Sequence, residues 1–501
     1  MRHVQGKDRN QITLFPQTLE DRIEDDNPVR FIDAFVNQID LKEFGFTHAQ
    51  TKDSGRKPFN PSDILKLYIY GYVIGVRSSR KLETEAKRNI EVIWLLSELV
   101  PDYRTIASFR KDNKEGIRNV FKLFVVFCKE INLLGKTLVA IDGSKFKAVN
   151  SRKRNYNKKS IKTLLENIDK AIDKYFAELE ENDNKEKGAY TTTENELKRK
   201  IDKLKGKKEE LKQLQQQLIE TDQTQISLTD PDSRLMKNNG KLDVCYNGQS
   251  VVDDKHNLIV DVEVTNETDD HNQLSSMSKG AKEILGVEEL EALLDKGYFN
   301  RQEIKKCIEN GIVPYIPKPE DREYKDGVPS PKYSLSKFKY LEEKDVYLCP
   351  CGKELNYIRT VNMRGVVYKT YETPDCKDCK NKKQCTKSKK GRIIYRWEDE
   401  KLIDDMQERM KGNRLKYKKR QAMVEHPFGT IKRTMNQGYM LTKGIDNVRT
   451  ELNLSALAYN IKRVMNIIGV KKLIEALMRL FFTFFKLCYI VNAGKKVTLS
   501  F

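Results

Sequence analysis

The sequence predicts a mixed α/β protein with a helical N-terminal region and two insertions in its α/β part. Three observations support this class. The 501 residues are too many for one compact core, so two to four structural units are expected. Helix signals dominate residues 1–130, whereas short runs rich in Val, Ile and Leu begin at residue 137. Residues 160–225 and 315–402 differ from both parts in pattern and composition.

The N-terminal region contains a strong helix start at Asn60-Pro61. Asn caps helices, and Pro has the backbone angle of a first helical turn. A broad apolar face follows, made of Ile64, Leu65, Leu67, Tyr68, Tyr70 and Tyr72. Further helices are predicted over 81–99 and 105–121. Four arginines lie near the starts of these short helices, namely Arg77, Arg80, Arg104 and Arg110. Residues 1–130 are therefore predicted to form a helical DNA-binding domain, with an ordinary helical bundle as the alternative.

The α/β part begins with short strand-like runs. Strands are predicted over 137–142, 145–149, 242–252, 257–264 and 290–295. Asp142 and Asp295 each end an apolar run, and Gly143 and Gly297 are expected to let the chain turn sharply there. Residues 403–467 are predicted to be helical again, and Glu425 lies there among many Lys and Arg residues.

The two insertions have different signatures. In 160–225, apolar residues recur at three- and four-residue spacing in two segments, which predicts an antiparallel helical hairpin. The segment 315–402 holds five of the nine cysteines. Residues 471–501 are predicted to be a C-terminal helical tail. Its apolar stretch contains Glu475, Arg479 and Lys486 and so is expected to pack against the protein, not to span a membrane.

The chain is strongly basic, with 93 Lys and Arg against 73 Asp and Glu and a net charge of +20. The excess is clustered: residues 145–159, KFKAVNSRKRNYNKK, contain seven basic residues and no acid. Clustered positive charge indicates a nucleic acid or another anionic partner. Because Asp142 directly precedes this stretch, the pattern also indicates a metal ion held beside a polyanion.

Asp142, Asp295 and Glu425 are the candidate metal ligands. Mg²⁺ and Mn²⁺ prefer the hard oxygens of Asp and Glu, and strand ends and a helix face can bring distant carboxylates together. An isolated acid among cations is unusual, which favours Glu425 as a metal ligand. The alternative for Glu425 is a simple ion pair with Arg420.

Six sequence blocks resemble one known family. They are NPSDILKLYIYGYVIGVRSSRKLETE (60–85), PDYRTIASFR (101–110), VAIDGSKFKAV (139–149), LTDPDSRLMKNNGKLDVCYNGQSVVD (228–253), LDKGYF (294–299) and RQAMVEHPFGTIKR (420–433). In these blocks the chain resembles bacterial insertion-sequence transposases of the DDE, ribonuclease H-like superfamily. The closest group combines a helical N-terminal transposase domain with a catalytic domain that carries a Tyr-Arg-Glu-Lys signature.

The resemblance implies a ribonuclease H-like catalytic domain over 131–470, interrupted by the two insertions. Asp142, Asp295 and Glu425 would be its catalytic acids and would hold two Mg²⁺ or Mn²⁺ ions. DNA contacts are predicted at Lys432, Arg420 and Tyr417 from the signature, and at Lys145, Arg152 and Arg154 from the basic stretch. The chain departs from the signature because Arg420 precedes Glu425 by five residues instead of four. Pro427 is also expected to kink a helix that would otherwise place Glu425 and Lys432 on one face.

The cysteines of the second insertion predict a structural zinc site. Four thiolates, from Cys351, Cys376, Cys379 and Cys385, would close a tetrahedral centre, with unconnected free thiols as the alternative. Trp397, at the end of the same insertion, is either a core residue or a residue that stacks on a flipped base.

The resemblance implies cut-and-paste transposition: binding of terminal repeats, metal-dependent DNA cleavage, and strand transfer by the freed 3′-hydroxyl. The expected partners are double-stranded DNA and a second copy of the chain, and the N-terminus MRHVQGKDRNQ has no apolar export signal. A cytoplasmic, nucleoid-associated bacterial protein without membrane contact is therefore expected. Two alternatives stay open, namely a catalytically inactive DNA-binding regulator derived from a transposase and a ribonuclease H-like nuclease without strand transfer.

Overall fold

In its described residues, the N-terminal region contains six α-helices. The structure, a computed structural model, describes residues 18–50, 57–183, 194–319, 330–363 and 365–480. The helices are α1 (Pro28–Asn37), α2 (Pro61–Val73), α3 (Ser79–Arg88), α4 (Ile90–Leu95), α5 (Tyr103–Asp112) and α6 (Lys114–Glu130). The predicted start of α2 is correct, since the Asn60 side chain accepts a hydrogen bond from the Ser62 amide at 3.0 Å.

The predicted helices 81–99 and 105–121 are each two helices, because an Asn interrupts both. Asn89 leaves the helical conformation and its side chain accepts from the Glu91 amide at 3.0 Å, so that it caps α4. The Asn113 side chain accepts from the Thr47 amide at 2.6 Å and lies between α5 and α6. Asn side chains compete for backbone donors in this way and break helices.

β1 (Leu138–Lys147) is one continuous strand, so the prediction of two strands separated by a turn at Gly143 is wrong. Gly143 pairs with Gln249 of the neighbouring strand. A Cβ at this position would lie 2.4 Å from the Gln249 Nε2 and 2.7 Å from the Asp270 Oδ1. The glycine therefore permits close side-chain packing against the strand, not a turn.

The first insertion contains the helical hairpin. β2 (Asn155–Asn157) pairs antiparallel with β3 (Gln225–Ser227), and between them lie α7 (Lys158–Asp183) and α8 (Glu194–Glu220). Lys208 pairs with Asp169 while Lys200 lies over the Tyr175 ring, so the two helices run in opposite directions. Their shared apolar cluster contains Ile161, Ile168, Ile172, Leu211, Leu218 and Ile226.

The central sheet is mixed. Its other strands are β4 (Arg234–Asn238), β5 (Lys241–Asp253), β6 (Ile259–Thr265), β7 (Leu290–Leu293) and β8 (Ile312–Tyr315), with α9 (Leu274–Leu285) and α10 (Arg301–Glu309) as connections. β5 pairs antiparallel with β1, and both β4 and β6 pair antiparallel with β5. On the other side of β1, β7 and then β8 are parallel to it. The mixed α/β class is thus confirmed.

The cysteine-rich insertion forms a separate five-stranded antiparallel sheet. Its strands are β9 (Lys339–Leu341), β10 (Val346–Leu348), β11 (Glu354–Met363), β12 (Val366–Glu372) and β13 (Ile394–Trp397), with a single helical turn, α11 (Lys382–Cys385). A small core supports it, made of Phe338, Tyr347, Leu355, Tyr371 and Ile394. Trp397 is only 3% exposed and packs in the main core, so it is not available to stack on a base.

Three helices follow: α12 (Glu400–Gly412), α13 (Arg414–Gly429) and α14 (Ile445–Ile468), and residues 470–480 are also helical. α13 continues through Pro427 and is followed by a π-helical turn, Thr430–Thr434. α14 is buried over most of its length and packs against α2, α6 and β6. One apolar cluster therefore joins the N-terminal helices to the sheet. None of the helices in the described ranges is both long and apolar enough to cross a bilayer.

Candidate active site

Asp142 lies within β1, and Asp295 lies two residues beyond the end of β7, the parallel neighbour of β1. The last pair of that register is Ala140 with Leu293, and the charge of Asp295 reaches the Asp142 carboxyl. Burial, together with the negative charges of Asp295 and Asp270, raises the pKa of Asp142 to about 6, although the Arg420 guanidinium opposes this. The Arg420 Nη1 lies 3.9 Å from the Asp142 Oδ1. A cation bound beside Asp142 would lower this repulsion.

Asp295 is held by the turn that follows β7. Its Oδ1 accepts from the Gly297 amide at 2.8 Å, which caps the 3-10 turn Lys296–Tyr298. A Cβ at Gly297 would lie 2.9 Å from that oxygen, so glycine permits this close approach. The predicted turn after the second acid is therefore present, whereas the one after the first acid is not.

α13 covers the face of the sheet that carries Asp142. The Tyr417 hydroxyl donates to the Leu294 carbonyl at 2.9 Å. Met423 and Val424 pack on apolar residues of β1, β5 and β7. Further along the helix, the Phe428 ring lies 6.0 Å from the Phe146 ring of β1. The helix thus passes over the two acids and continues along β1.

Glu425 lies on this stretch of α13, between residues that contact β1. Its carboxylate is exposed and accepts from the Gln421 Nε2 at 2.8 Å. Arg420 pairs with Asp142, so the ion pair of Glu425 with Arg420 that the sequence left open is not formed. Within the described ranges, no three His, Cys, Asp or Glu side chains are arranged to hold a metal ion. The structure therefore brings two of the three predicted acids together and places the third on the helix above them.

Lys432 lies beside β1 but not on a continuous helix with Glu425, because α13 ends at Gly429. The Lys432 Nζ donates to the Lys145 carbonyl at 2.7 Å and lies 4.6 Å from the centre of the Phe146 ring. Burial, together with the positive charge of Lys145, lowers the pKa of Lys432 to about 8. The helical geometry thus changes between Glu425 and Lys432, at the π-helical turn after Gly429 and not at Pro427, and the lysine lies next to the strand of Asp142.

The other predicted DNA contacts divide into two groups. Tyr417, Arg420 and Lys145 are half-buried around the two acids. Arg152 and Arg154 are exposed in the 3-10 turn that follows β1. Only the second group presents free cationic surface at the protein exterior.

Two of the N-terminal arginines have a structural role that the sequence did not indicate. Arg77 is 4% exposed and its guanidinium lies 3.5 Å from the buried Glu451 carboxylate of α14. Arg110 is half-buried against the Tyr68 ring. Arg80 and Arg104 are exposed, and both lie over the Tyr103 ring. Arg77 therefore helps to join the N-terminal helices to α14, and Arg110 packs within those helices, whereas Arg80 and Arg104 face solvent.

The sequence reasoning also missed a polar network on the opposite face of β1. Asp270 accepts hydrogen bonds from the buried Asn247 and Gln249 side chains of β5, at 2.6 and 2.7 Å. Gln249 in turn accepts from the buried Tyr298 hydroxyl. The available signal was the pair of amides at alternate positions in the otherwise apolar strand β5.

The cysteines of the second insertion lie together. Cys349, Cys351, Cys376, Cys379 and Cys385 all line one cavity of about 30 Å³. They are free thiols, and in this arrangement they do not form a metal-binding group within the described ranges. Their convergence suits a thiolate-binding ion, and the zinc site stays a prediction. Cys488 lies outside the described residues.

Comparison with protein families gives two matches. The model of a transposase DDE domain matches residues 348–465, which include Glu425 and Lys432. The model of a transposase domain (DUF772) matches residues 17–112, which include α1 to α5. No curated protein and no solved structure matches the chain significantly. The two family matches, in this order on one chain, indicate an insertion-sequence DDE transposase.

Proposed function

We propose that this transposase binds the terminal repeats of its insertion sequence and catalyses metal-dependent DNA cleavage and strand transfer. The observation that carries the proposal is the proximity of Asp142, in β1, to Asp295, just after the parallel strand β7, whose charge helps to raise the pKa of Asp142. Neighbouring carboxylates of this kind are suited to hard divalent cations, which assist in-line displacement at phosphorus. The cationic segment that follows Asp142 would hold the DNA backbone nearby.

A ribonuclease H-like core is part of the proposal. Its support is the central sheet, in which β1 has antiparallel neighbours on one side and two parallel strands on the other. Each proposed acid on the sheet belongs to, or directly follows, one of the two central parallel strands. Ends of parallel strands are common positions for the reactive groups of α/β enzymes.

Asp142 and Asp295 would bind the metal ions, with Glu425 of α13 as the third ligand. When bound, two Mg²⁺ or Mn²⁺ ions would activate the attacking oxygen and stabilise the leaving oxygen. The raised pKa of Asp142 fits this role, because a cation would relieve the repulsion that raises it. Arg420 lies beside Asp142 and neutralises part of the negative charge.

The DNA would lie along the exposed cations near α13 and the end of β1. These are Lys411, Arg414, Lys418, Lys419, Arg152 and Arg154. Exposed Lys and Arg make phosphate contacts that position DNA without reading its sequence. Two element ends have to be cut together, so we further propose that a homodimer acts on DNA in the bacterial cytoplasm.

The proposal is tested with the full-length protein and labelled DNA that carries the sequences flanking its gene. With Mg²⁺ or Mn²⁺, we expect cleavage at the element ends followed by joining to a target. Cleavage without joining would indicate a nuclease instead. Binding without cleavage would indicate a regulator, and either result would overturn the proposal.

The lowered pKa of Lys432 predicts that DNA binding depends on pH. A lysine with a pKa of about 8 is charged below that pH and neutral above it. If its charge contacts a phosphate, DNA affinity should fall about tenfold between pH 7 and pH 9, because only about a tenth of the lysine stays charged. Lys432→Arg should flatten the dependence, since Arg stays protonated. Fluorescence anisotropy measures both, and equal pH profiles would show that Lys432 does not contact DNA in its charged form.

A further inference from the structure

A buried polar network lies near both Asp142 and Asp295, on the side of the sheet opposite α13. Successive side chains of a strand point to opposite faces, so Gly143 and Lys145 face away from Asp142. On that opposite face, Gly143 pairs with Gln249 and Lys145 pairs with Asn247. Neither amide side chain is exposed to solvent. Buried amides require hydrogen-bond partners, and those partners define their orientation.

Asp270, from the connection between β6 and α9, provides the acceptor for both amides. Its Oδ1 accepts from the Asn247 Nδ2 at 2.6 Å and from the Gln249 Nε2 at 2.7 Å. The Lys145 Nζ lies 3.5 Å from the same oxygen. An ionised carboxylate can only accept, so it forces both amides to present their nitrogen atoms. The carboxylate thereby determines which way each amide points.

The orientation of Gln249 determines its second contact. With its nitrogen directed at Asp270, its Oε1 faces Tyr298 and accepts from the tyrosine hydroxyl. Tyr298 is completely buried and ends the 3-10 turn that Asp295 caps. A chain of hydrogen bonds therefore runs from Asp270 through Gln249 to the turn that carries Asp295.

The same network packs against the backbone of β1 directly after Asp142. A side chain at Gly143 would collide with Gln249 and Asp270, so this part of the strand lies in contact with the network. Asp270 thus contacts the surroundings of both acids while lying on the other face of the sheet from Asp142.

We propose that Asp270 is a positioning residue for metal binding: through Gln249, Tyr298 and Lys145 it holds Asp142 and Asp295 at the spacing that divalent cations require. This inference rests on the proposed function, because it assumes that the two acids bind metal. Asp270 itself is not a ligand in this proposal, since its Oδ1 is already occupied by amide donors. Mutation of residues that orient metal ligands through hydrogen bonds typically lowers metal affinity 10- to 100-fold.

Direct Mn²⁺ binding to the full-length protein tests the inference, measured from the electron paramagnetic resonance signal of free Mn²⁺. Asp270→Asn is expected to weaken binding about 10- to 100-fold. Tyr298→Phe, which removes one hydroxyl group, is expected to weaken it in the same direction. Asp269→Asn is the matched control, because that neighbouring carboxylate is exposed and accepts from the His271 amide in the same loop. Its Mn²⁺ affinity should equal that of the unmodified protein.

Asp142→Asn separates the inference from the function on which it rests. If Asp142→Asn loses Mn²⁺ binding while Asp270→Asn and Tyr298→Phe bind normally, the positioning role is overturned and the proposed site survives. If Asp142→Asn binds Mn²⁺ as the unmodified protein does, the proposed function fails, and the inference with it. Should Asp270→Asn not fold, as judged by circular dichroism, the Tyr298→Phe result decides the question.

Discussion

Asp142→Asn is expected to reduce DNA cleavage by about a thousandfold or more. The substitution removes a charged metal ligand, and metal ions supply several kcal/mol of charge stabilisation in phosphoryl transfer. It removes no cation from the DNA-facing surface, so the affinity for terminal-repeat DNA should stay within about twofold. Cleavage is measured on labelled DNA under single-turnover conditions, and binding by anisotropy in the same buffer. Cleavage at the unmodified rate would refute the assignment of Asp142 as a catalytic acid.

The same variant is expected to be more stable than the unmodified protein in the absence of metal. Asp142 is partly buried, with 29% of its side chain exposed, and its pKa is raised from 3.8 to about 6. A carboxyl whose pKa is raised by folding destabilises the native state once it ionises. This destabilisation of the native state is absent below pH 4, where Asp142 is protonated in both states, and reaches its full size above pH 6. We expect a gain of about 1–3 kcal/mol for Asp142→Asn at pH 7.5.

Urea unfolding without metal, at pH 7.5 and at pH 4.5, checks this stability effect. The advantage of the Asn variant should shrink at the lower pH, where Asp142 of the unmodified protein is mostly protonated. Asp269→Asn is the control, because its carboxylate is exposed. If the stability difference between the two proteins is the same at both pH values, ionisation of Asp142 does not destabilise the native state.

Glu451→Ala is expected to destabilise the protein by about 3–5 kcal/mol. Glu451 is completely buried on α14, and Arg77, at the start of α3, is 4% exposed and lies 3.5 Å away. The Glu451 carboxylate also accepts from the Leu441 and Thr442 amides, at 3.1 and 2.6 Å. The substitution would leave a buried guanidinium without its counter-ion and two backbone amides without an acceptor. The contact between the N-terminal helices and the loop before α14 would weaken.

Glu283→Ala provides the comparison for an exposed ion pair. Lys279 and Glu283 are 4.0 Å apart on the surface of α9, with about two-thirds of each side chain exposed. Exposed pairs contribute about 0–1 kcal/mol, so this variant should unfold near the unmodified midpoint. Chemical denaturation of both variants gives the difference. A loss below about 1 kcal/mol for Glu451→Ala would mean that the buried pair does not hold the two regions together.

The sequence predicted well the features that depend on neighbouring residues. Asn60-Pro61 starts a helix because the cap and the proline act within one turn. The apolar spacing of the first insertion produced the two helices of the hairpin for the same local reason. The end of the apolar run before Asp295 marked the end of β7 within two residues, whereas β1 continues past Asp142 to Lys147. The proximity of the two acids follows from the parallel pairing of β1 and β7, which sequence spacing does not encode.

Features that depend on distant residues were misjudged or missed. Gly143 suggested a turn. In the structure, a glycine is required there because the Gln249 and Asp270 side chains pack against β1. Arg77 suggested a DNA contact, whereas Glu451, more than 370 positions away, binds it in the core. The regular spacing of Glu425 and Lys432 suggested one helix face, but the chain leaves the α-helix at Gly429.

By itself, the sequence determined the start of α2, the helical hairpin, the apolar runs before Asp142 and Asp295, the basic segment beside Asp142 and the family resemblance. Each of these features depends on residues that are close together in the sequence or on motifs that follow in a recognisable order. Only the tertiary structure decided that Asp142 and Asp295 are neighbours, that Asp270 lies behind both, and that Arg77 is internal. Strand pairing and burial join residues hundreds of positions apart, and their free energies depend on contacts that no local pattern specifies.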